Sequence, residues 1–331
     1  MKSKTNSTNI RAIIIGLAIV LTGIAGVLLY QNKTVIIDWF AGLSYSATAE
    51  VSAIEQSIDL NDSGRLIFRA TKPVLSSRDE FNDSCDSHNT DVSVLGCYTK
   101  NRIYVYDVDT AELSGVKEST MAHELLHAVW DRLSTSDKDA LTNKLLAVYN
   151  DEKYHALLSE DLETYAESER IDELHSRIGT EIANLPADLE SHYAKYFKDQ
   201  DRIVSYYDSY ITPFRTLSEH LEALSVELES LKATIEQKTS DYYASAESLS
   251  AEIDEFNNCA NTPNCFATDY AFYVRRNELS AIRDTLEAEY ESISSLINQY
   301  NNLVKEYNEN IVRGRTLESM INSNTNVESI K

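Results

Sequence analysis

The sequence predicts a mainly α-helical protein with a small admixture of strand, an α+β chain dominated by its helices. Three observations carry this expectation. Only nine Gly and four Pro occur in 331 residues, while Leu, Ala, Glu and Ser are plentiful, a composition that suits long helices better than a many-stranded sheet. Apolar residues recur at helical spacing along most of the chain and fall into heptads in its last third. Strand-like runs are confined to two short stretches, 65–70 and 102–108. The formal net charge of −23 argues against nucleic acid as a partner, because neutralising phosphates requires a basic face.

Residues 12–30, AIIIGLAIVLTGIAGVLLY, carry no charge. At 1.5 Å per residue they span roughly 28 Å, close to the hydrocarbon thickness of a bilayer. Lys2, Lys4 and Arg11 precede them, and no acid occurs before Arg11. The expectation is a cytoplasmic N-terminus over 1–11, a single transmembrane helix over 12–30 and an extracytoplasmic remainder, by the positive-inside bias. A cleaved signal peptide is the competing reading. It fits less well, because the run exceeds the usual ~7–15 apolar residues and no A-x-A site follows directly. Residues 31–45 read as a juxtamembrane linker, with Trp39 and Phe40 suited to the lipid surface. Four cysteines fit an oxidising exterior. Their nearness in sequence gives Cys85–Cys97 and Cys259–Cys265 as the expected disulfides, and neither pair has the spacing of a zinc knuckle.

Further along, Ala47, Val51, Ile54 and Ile58 predict a helix over 46–60, which NDSG at 61–64 breaks. RLIFRA (65–70) and RIYVYDV (102–108) read as strands, with a cysteine-bearing loop at 82–97 between them. Ser114 is the expected cap of a helix over 117–133, and Ser136 that of the next. Another helix is expected over 158–178, stopped by Gly179, and one more from near Pro186 to just before Pro213. Residues 214–315 then predict an antiparallel coiled-coil hairpin. Its heptads run through Leu217, Leu224, Leu231 and Leu249 and resume through Leu279, Leu286, Ile293 and Leu303. Each helix would hold roughly forty residues, about 60 Å, with Cys259–Cys265 clamping the tip. Such an arm suits a spacer, a protein partner or self-association; its bland reading is a packing hairpin. The polar tail 316–331 is expected to fray.

The segment MAHELLHAVW carries the chemistry. His123 and His127 stand four residues apart, so on a helix both imidazoles face one way. Neutral imidazole suits zinc, and Glu124, one step round, can reach a water at the metal and take its proton. The flanking Met121, Ala122, Ala128, Val129 and Trp130 mark the helix as buried, where unliganded His and Glu are costly. Strand 102–108 shortly before it would be the edge strand lining the cleft. A hydrolytic zinc wants three protein ligands and an open position. The HExxHxxGxxH extension fails, because Trp130 and Leu133 occupy the Gly and His positions. A downstream side chain must therefore serve, and Glu167, Glu169, Asp172, Glu173, His175 and Glu181 all qualify. Tyr165, His175 and His192 could donate a hydrogen bond to a transition state, although each reads first as an ordinary helix-surface or core residue.

AHELLHAVWDRLS followed by DELHSRIGTE and LESHYAKYFKDQ, together with GCYTKNRIYVYDV, resembles bacterial membrane-anchored gluzincin-type metallopeptidases over roughly residues 46–211. The resemblance implies a small zinc metallopeptidase-like domain over 46–213, one Zn2+, a peptide or protein substrate, and Glu173 as the third ligand beside His123 and His127. The chain departs from the better-known gluzincin spacing E-x-x-x-D, since Glu169 and Glu173 give E-x-x-x-E. Glu169 as ligand, with Glu173 orienting a histidine, therefore stays open. The aspzincin pattern G-T-x-x-D fails at Ala183. The expectation is a membrane-anchored, extracytoplasmic zinc peptidase with Glu124 as general base. Its rival is a cell-surface coiled-coil interaction protein whose metal site is structural or inactive.

Overall fold

The computed structural model describes residues 22–23, 26–27, 29–30, 32–85, 94–159, 162 and 165–323. Most of them are helical, with one small three-stranded sheet and two long helices towards the C-terminus. The chain divides into two compact units, 1–213 with 320–331, and 214–319. Residues 1–21, which hold most of the expected transmembrane run and all of the expected cytoplasmic segment, lie outside the described residues. Among the described residues no helix is long and apolar enough to cross a membrane.

The first unit opens with α1 (Lys33–Leu43) where a linker was expected. Trp39 and Phe40 are exposed, as anticipated, but Asp38 is buried in a two-pronged ion pair with Arg132, at 2.8 and 2.9 Å. The Thr48 hydroxyl caps α2 (Ala49–Ser57) by accepting from the Val51 amide. Residues 65–70 are not a strand. They form most of α3 (Asp62–Ala70), started by Asn61, whose side chain accepts from the Gly64 amide. Ile67 and Phe68 are buried at helical spacing from Gly64, so the cap and the periodicity outweigh β-propensity.

The sheet has the order β1-β3-β2, with β1 (Val74–Ser76) parallel and β2 (Gly96–Thr99) antiparallel to β3 (Arg102–Tyr106). The strand within 102–108 is therefore the centre of the sheet and not its edge; β2 is an edge. Helix α4 (Arg78–Ser84) ends at Cys85, which is disulfide-bonded to Cys97. Helix α5 (Val116–Arg132) follows Gly115 rather than a Ser114 cap, and α6 (Thr135–Tyr149) is capped by Ser134, not Ser136. Instead of one helix over 158–178 the chain makes α7 (Glu152–Ser159) and α8 (Arg170–Glu181). Gly179 sits inside α8. A Cβ there would strike Leu126 of α5 and lie 2.5 Å from the Tyr193 ring, so this glycine permits a close helix approach and does not end the helix. Helix α9 (Ala187–Tyr193) completes the layer. The core joins Ile103 and Val105 of β3 to Leu125, Leu126 and Val129 of α5 and to Leu174, Ile178 and Tyr193.

Helices α10 (Gln200–Ala260) and α11 (Asp269–Ile321) are 61 and 53 residues long, more than expected. Helix α10 passes through Pro213, which costs one backbone hydrogen bond, and goes on into the second unit. Within the second unit the two run antiparallel, with His220 against Glu306 and Glu252 against Arg275. Only a narrow seam is buried: Leu217, Leu224 and Leu249 from α10, and Leu279, Leu286, Ile293 and Leu317 from α11. The Cys259–Cys265 disulfide closes the turn beside a cluster of Phe256, Phe266 and Phe272. The expected frayed tail is ordered at its start. Helix α11 runs to Ile321, and beyond it Ser323 is fully buried, its hydroxyl donating to the Val94 carbonyl at 2.7 Å and its carbonyl accepting from the Asn82 amide at 2.7 Å. Residues 324–331 lie outside the described residues.

Candidate metal centre

Helix α5 is packed almost all round. Met121, Ala122, Leu125, Leu126 and Ala128 are fully buried, which leaves His123 and His127 on the one face that meets α8. That helix packs close because Gly179 lacks a side chain, and nearly two turns earlier it carries Asp172 and Glu173. His123 Nε2 and His127 Nε2 lie 3.1 Å apart. The two Glu173 oxygens approach them, Oε1 at 3.6 Å from His123 and Oε2 at 3.4 Å from His127. These three side chains form a group able to hold a metal ion, with all donor atoms within 4.8 Å of one another.

The acid next to the ligand fixes the tautomer. His127 Nδ1 lies 2.9 Å from Asp172 Oδ1. With Nδ1–H donated to that carboxylate, a neutral His127 turns a lone pair at Nε2 towards His123. Two facing lone pairs repel unless a proton or a cation lies between them. The electrostatics point the same way. Burial works against a charge on His127, but hydrogen bonds to Asp172 and Glu173 prevail and hold its pKa well above the ordinary histidine range. Burial also opposes charge on His123, and Glu173 again prevails and raises it. Burial would raise Glu173, yet the two imidazoles pull its carboxyl far below the usual range. The cluster thus draws positive charge, which protons or a divalent cation can supply.

Glu124 is buried just beside this group, and burial pushes its carboxyl up, partly offset by His127 and His123. It faces a cavity of about 200 Å³ that it shares with His123, Glu173, Tyr165, Tyr207 and Tyr210, with Val94–Gly96 as one wall.

Of the residues anticipated from sequence, His123, His127, Glu124 and Glu173 come together, and Tyr165 lines the cavity. Glu169 does not join them. It is the exposed residue that precedes α8, and the ligand group contains Glu173 instead. His175 does not reach the cavity either: it is fully buried on the far side of α8, its Nε2 2.9 Å from His192 Nε2 and its ring against Trp130 and Tyr193. Neither histidine of that pair lines the cavity, so neither is placed to serve a transition state there. Three residues that the sequence does not mark as a group also line the cavity: Tyr207, Tyr210 and Glu181, whose carboxylate is held by Arg177 in a two-pronged contact at 3.0 and 3.1 Å. The i,i+4 spacing of Arg177 and Glu181 was the available signal. Compared with known protein families, curated proteins and solved structures, the chain matches none, so its functional reading rests on the side chains themselves.

Proposed function

We propose that this chain is a zinc-dependent metallopeptidase of gluzincin type, anchored by residues 12–30 with its site outside the membrane. The observation that carries the proposal is the convergence of His123, His127 and Glu173 beside the buried carboxyl of Glu124. The donor set fits zinc. Ligand bonds of ~2.0–2.1 Å in a tetrahedron put donor atoms about 3.3 Å apart; the two imidazole nitrogens are 3.1 Å apart, and each has one Glu173 oxygen beside it, Oε2 at 3.4 Å from His127 and Oε1 at 3.6 Å from His123. Two nitrogens and one carboxylate also leave a fourth position open, as hydrolytic zinc sites do.

When bound, Zn2+ supplies a Lewis acid that polarises a carbonyl and makes water more acidic. The chain's own groups do the rest. Glu124 takes a proton from the attacking water as its oxygen bonds to the scissile carbon. It returns that proton to the departing amine as the C–N bond breaks. Burial raises its pKa and so brings the carboxyl closer to the range in which it can both accept and give. Asp172 keeps His127 in the tautomer that presents Nε2. The edge strand β2, whose Gly96 adjoins Glu124, is the place where an extended peptide could add its backbone to the sheet. Tyr165, at the cavity wall, is the candidate donor to the developing oxyanion.

The test is the purified full chain, assayed for zinc content and peptide cleavage. Glu124→Gln should keep one zinc and lose about 10²–10⁴-fold in turnover. Absence of zinc from freshly prepared protein, or cleavage undiminished in the variant, defeats the reading. The second reading, a coiled-coil interaction protein with an idle metal site, is favoured by the length of α10 and α11 and by exposed Tyr243, Tyr270 and Tyr290. It wins if removing 214–319 abolishes a cellular phenotype that Glu124→Gln leaves intact.

A further inference from the structure

The Glu124 carboxylate has to be aimed, and among the described residues no hydrogen bond aims it; the ligands His127 and Glu173 each have partners that fix them. The strand at Gly96 runs close beside Glu124. A Cβ built on Gly96 would fall 2.6 Å from Glu124 Oε1 and 2.7 Å from Glu124 Cγ, and 2.6 Å from the Thr120 methyl. These distances are well inside van der Waals contact, so the strand at Gly96 already closes the space beside the carboxylate.

We propose that the wall strand positions Glu124, with Gly96 as the contact and the Cys85–Cys97 disulfide as the clamp. This rests on reading Glu124 as the general base. The strand has little freedom to yield. Gly96 and Cys97 pair with Val105 and Tyr104 in the centre of the sheet. Cys97 is covalently tied to Cys85 at the end of α4. Just upstream, the Val94 carbonyl accepts from the buried Ser323 hydroxyl. On the other side α5 cannot retreat, because its neighbours Met121, Ala122 and Leu125 are fully buried. Between two fixed surfaces the soft element is the Glu124 side chain, so any bulk at position 96 is relieved by turning the carboxylate away from its working rotamer. The atoms nearest a Cβ at 96 belong to Glu124 and Thr120 and not to His123, His127 or Glu173, so the metal ligands keep their places. Opening the disulfide acts in the reverse sense: the wall loosens and the carboxylate is no longer confined. Activity therefore depends on an oxidised Cys85–Cys97 bond, whereas the Cys259–Cys265 bond, in the other unit, has no part in it.

The experiment uses the zinc-loaded full chain, with zinc content, kcat and KM as readouts. In Gly96→Ala, kcat should fall at least about tenfold, KM should move by less than about threefold, and one zinc should remain. Adding Thr120→Ser, which removes the abutting methyl, should recover part of the lost kcat, and a thermal melt of Gly96→Ala close to that of wild type separates a misplaced carboxylate from a weakened fold. Cys85→Ser with Cys97→Ser should also lower kcat at constant zinc content, and Cys259→Ser with Cys265→Ser should not. Wild-type kcat in Gly96→Ala overturns the proposal and leaves the peptidase reading standing. If Gly96→Ala does not fold, the Cys85/Cys97 double variant decides, and unchanged turnover there overturns the proposal. An inactive zinc-loaded wild type overturns the peptidase reading, and the positioning role with it.

Discussion

The molecule contains two histidine pairs with nearly the same contact and opposite electrostatics. His123 and His127 meet Nε2 to Nε2 at 3.1 Å, and His175 and His192 meet Nε2 to Nε2 at 2.9 Å. Both pairs use α8 or its partner helix, and all four rings are at least largely buried. Yet the first pair is drawn towards charge, while burial pushes both members of the second well below the ordinary range, His192 to about 4. The difference lies in the neighbours. Asp172 and Glu173 face the first pair, whereas Trp130, Tyr193 and Tyr196 wall in the second. Two imidazoles in contact are therefore not in themselves a metal site; the acids opposite them decide whether positive charge is welcome.

The contrast can be broken most severely at Glu173. Glu173→Gln removes the negative charge that both imidazoles share, and losing one partner of a buried charge cluster costs about 3–5 kcal/mol, on the order of a thousandfold in affinity. Zinc titration by calorimetry measures it, and affinity within tenfold of wild type would remove Glu173 from the ligand set. The second pair offers a test of the opposite sign. A histidine whose folded pKa is lowered contributes fully above its unfolded value of about 6.5 and loses that contribution as the pH falls through its folded value. For His192, lowered to about 4, the loss between those limits is about 3 kcal/mol. Denaturant melts from pH 7 to pH 4 should show it, and His192→Phe should flatten the slope. The smallest expected effect is at Asp172. Asp172→Asn keeps the shape but weakens the hold on the His127 tautomer, which should lower metal affinity about 10–100-fold without removing the metal at saturation.

What could be read in the sequence depended on how far apart the cooperating residues stand. His123, Glu124 and His127 lie within one helical turn and a half, so their shared geometry follows from local structure alone. Glu173 is placed by the packing of α8 on α5, which no spacing encodes; residues 167–181 offered several acids, and only the family resemblance singled out one. Asp172 was among those candidates, but its actual task, orienting His127, depends on the same packing. Strand 102–108 was legible from its β-branched and aromatic residues, whereas its central place was not, because its second neighbour β1 is a strand of three residues. The misread stretch 65–70 shows local signals in conflict: β-prone Ile67 and Phe68 against an Asn61 cap and helical burial. Gly179 and Pro213 both read locally as helix stops. One serves close packing, and the other is carried by a helix anchored on both sides of it, since tertiary contacts outweigh the propensity of one residue.

The buried pair between Asp38 and Arg132 ties the helix carrying His123 and His127 to the chain just after the proposed anchor. Only eight positions separate Tyr30 from Asp38, about 12 Å of helix and at most roughly 28 Å of extended chain. Arg132 in turn is five positions beyond His127 on the same helix, about 7.5 Å along its axis. Were residues 12–30 set in a bilayer, as proposed above, the proposed site would be held on a short tether, and the polypeptides within its reach would be those that lie against the lipid surface or are themselves embedded beside it.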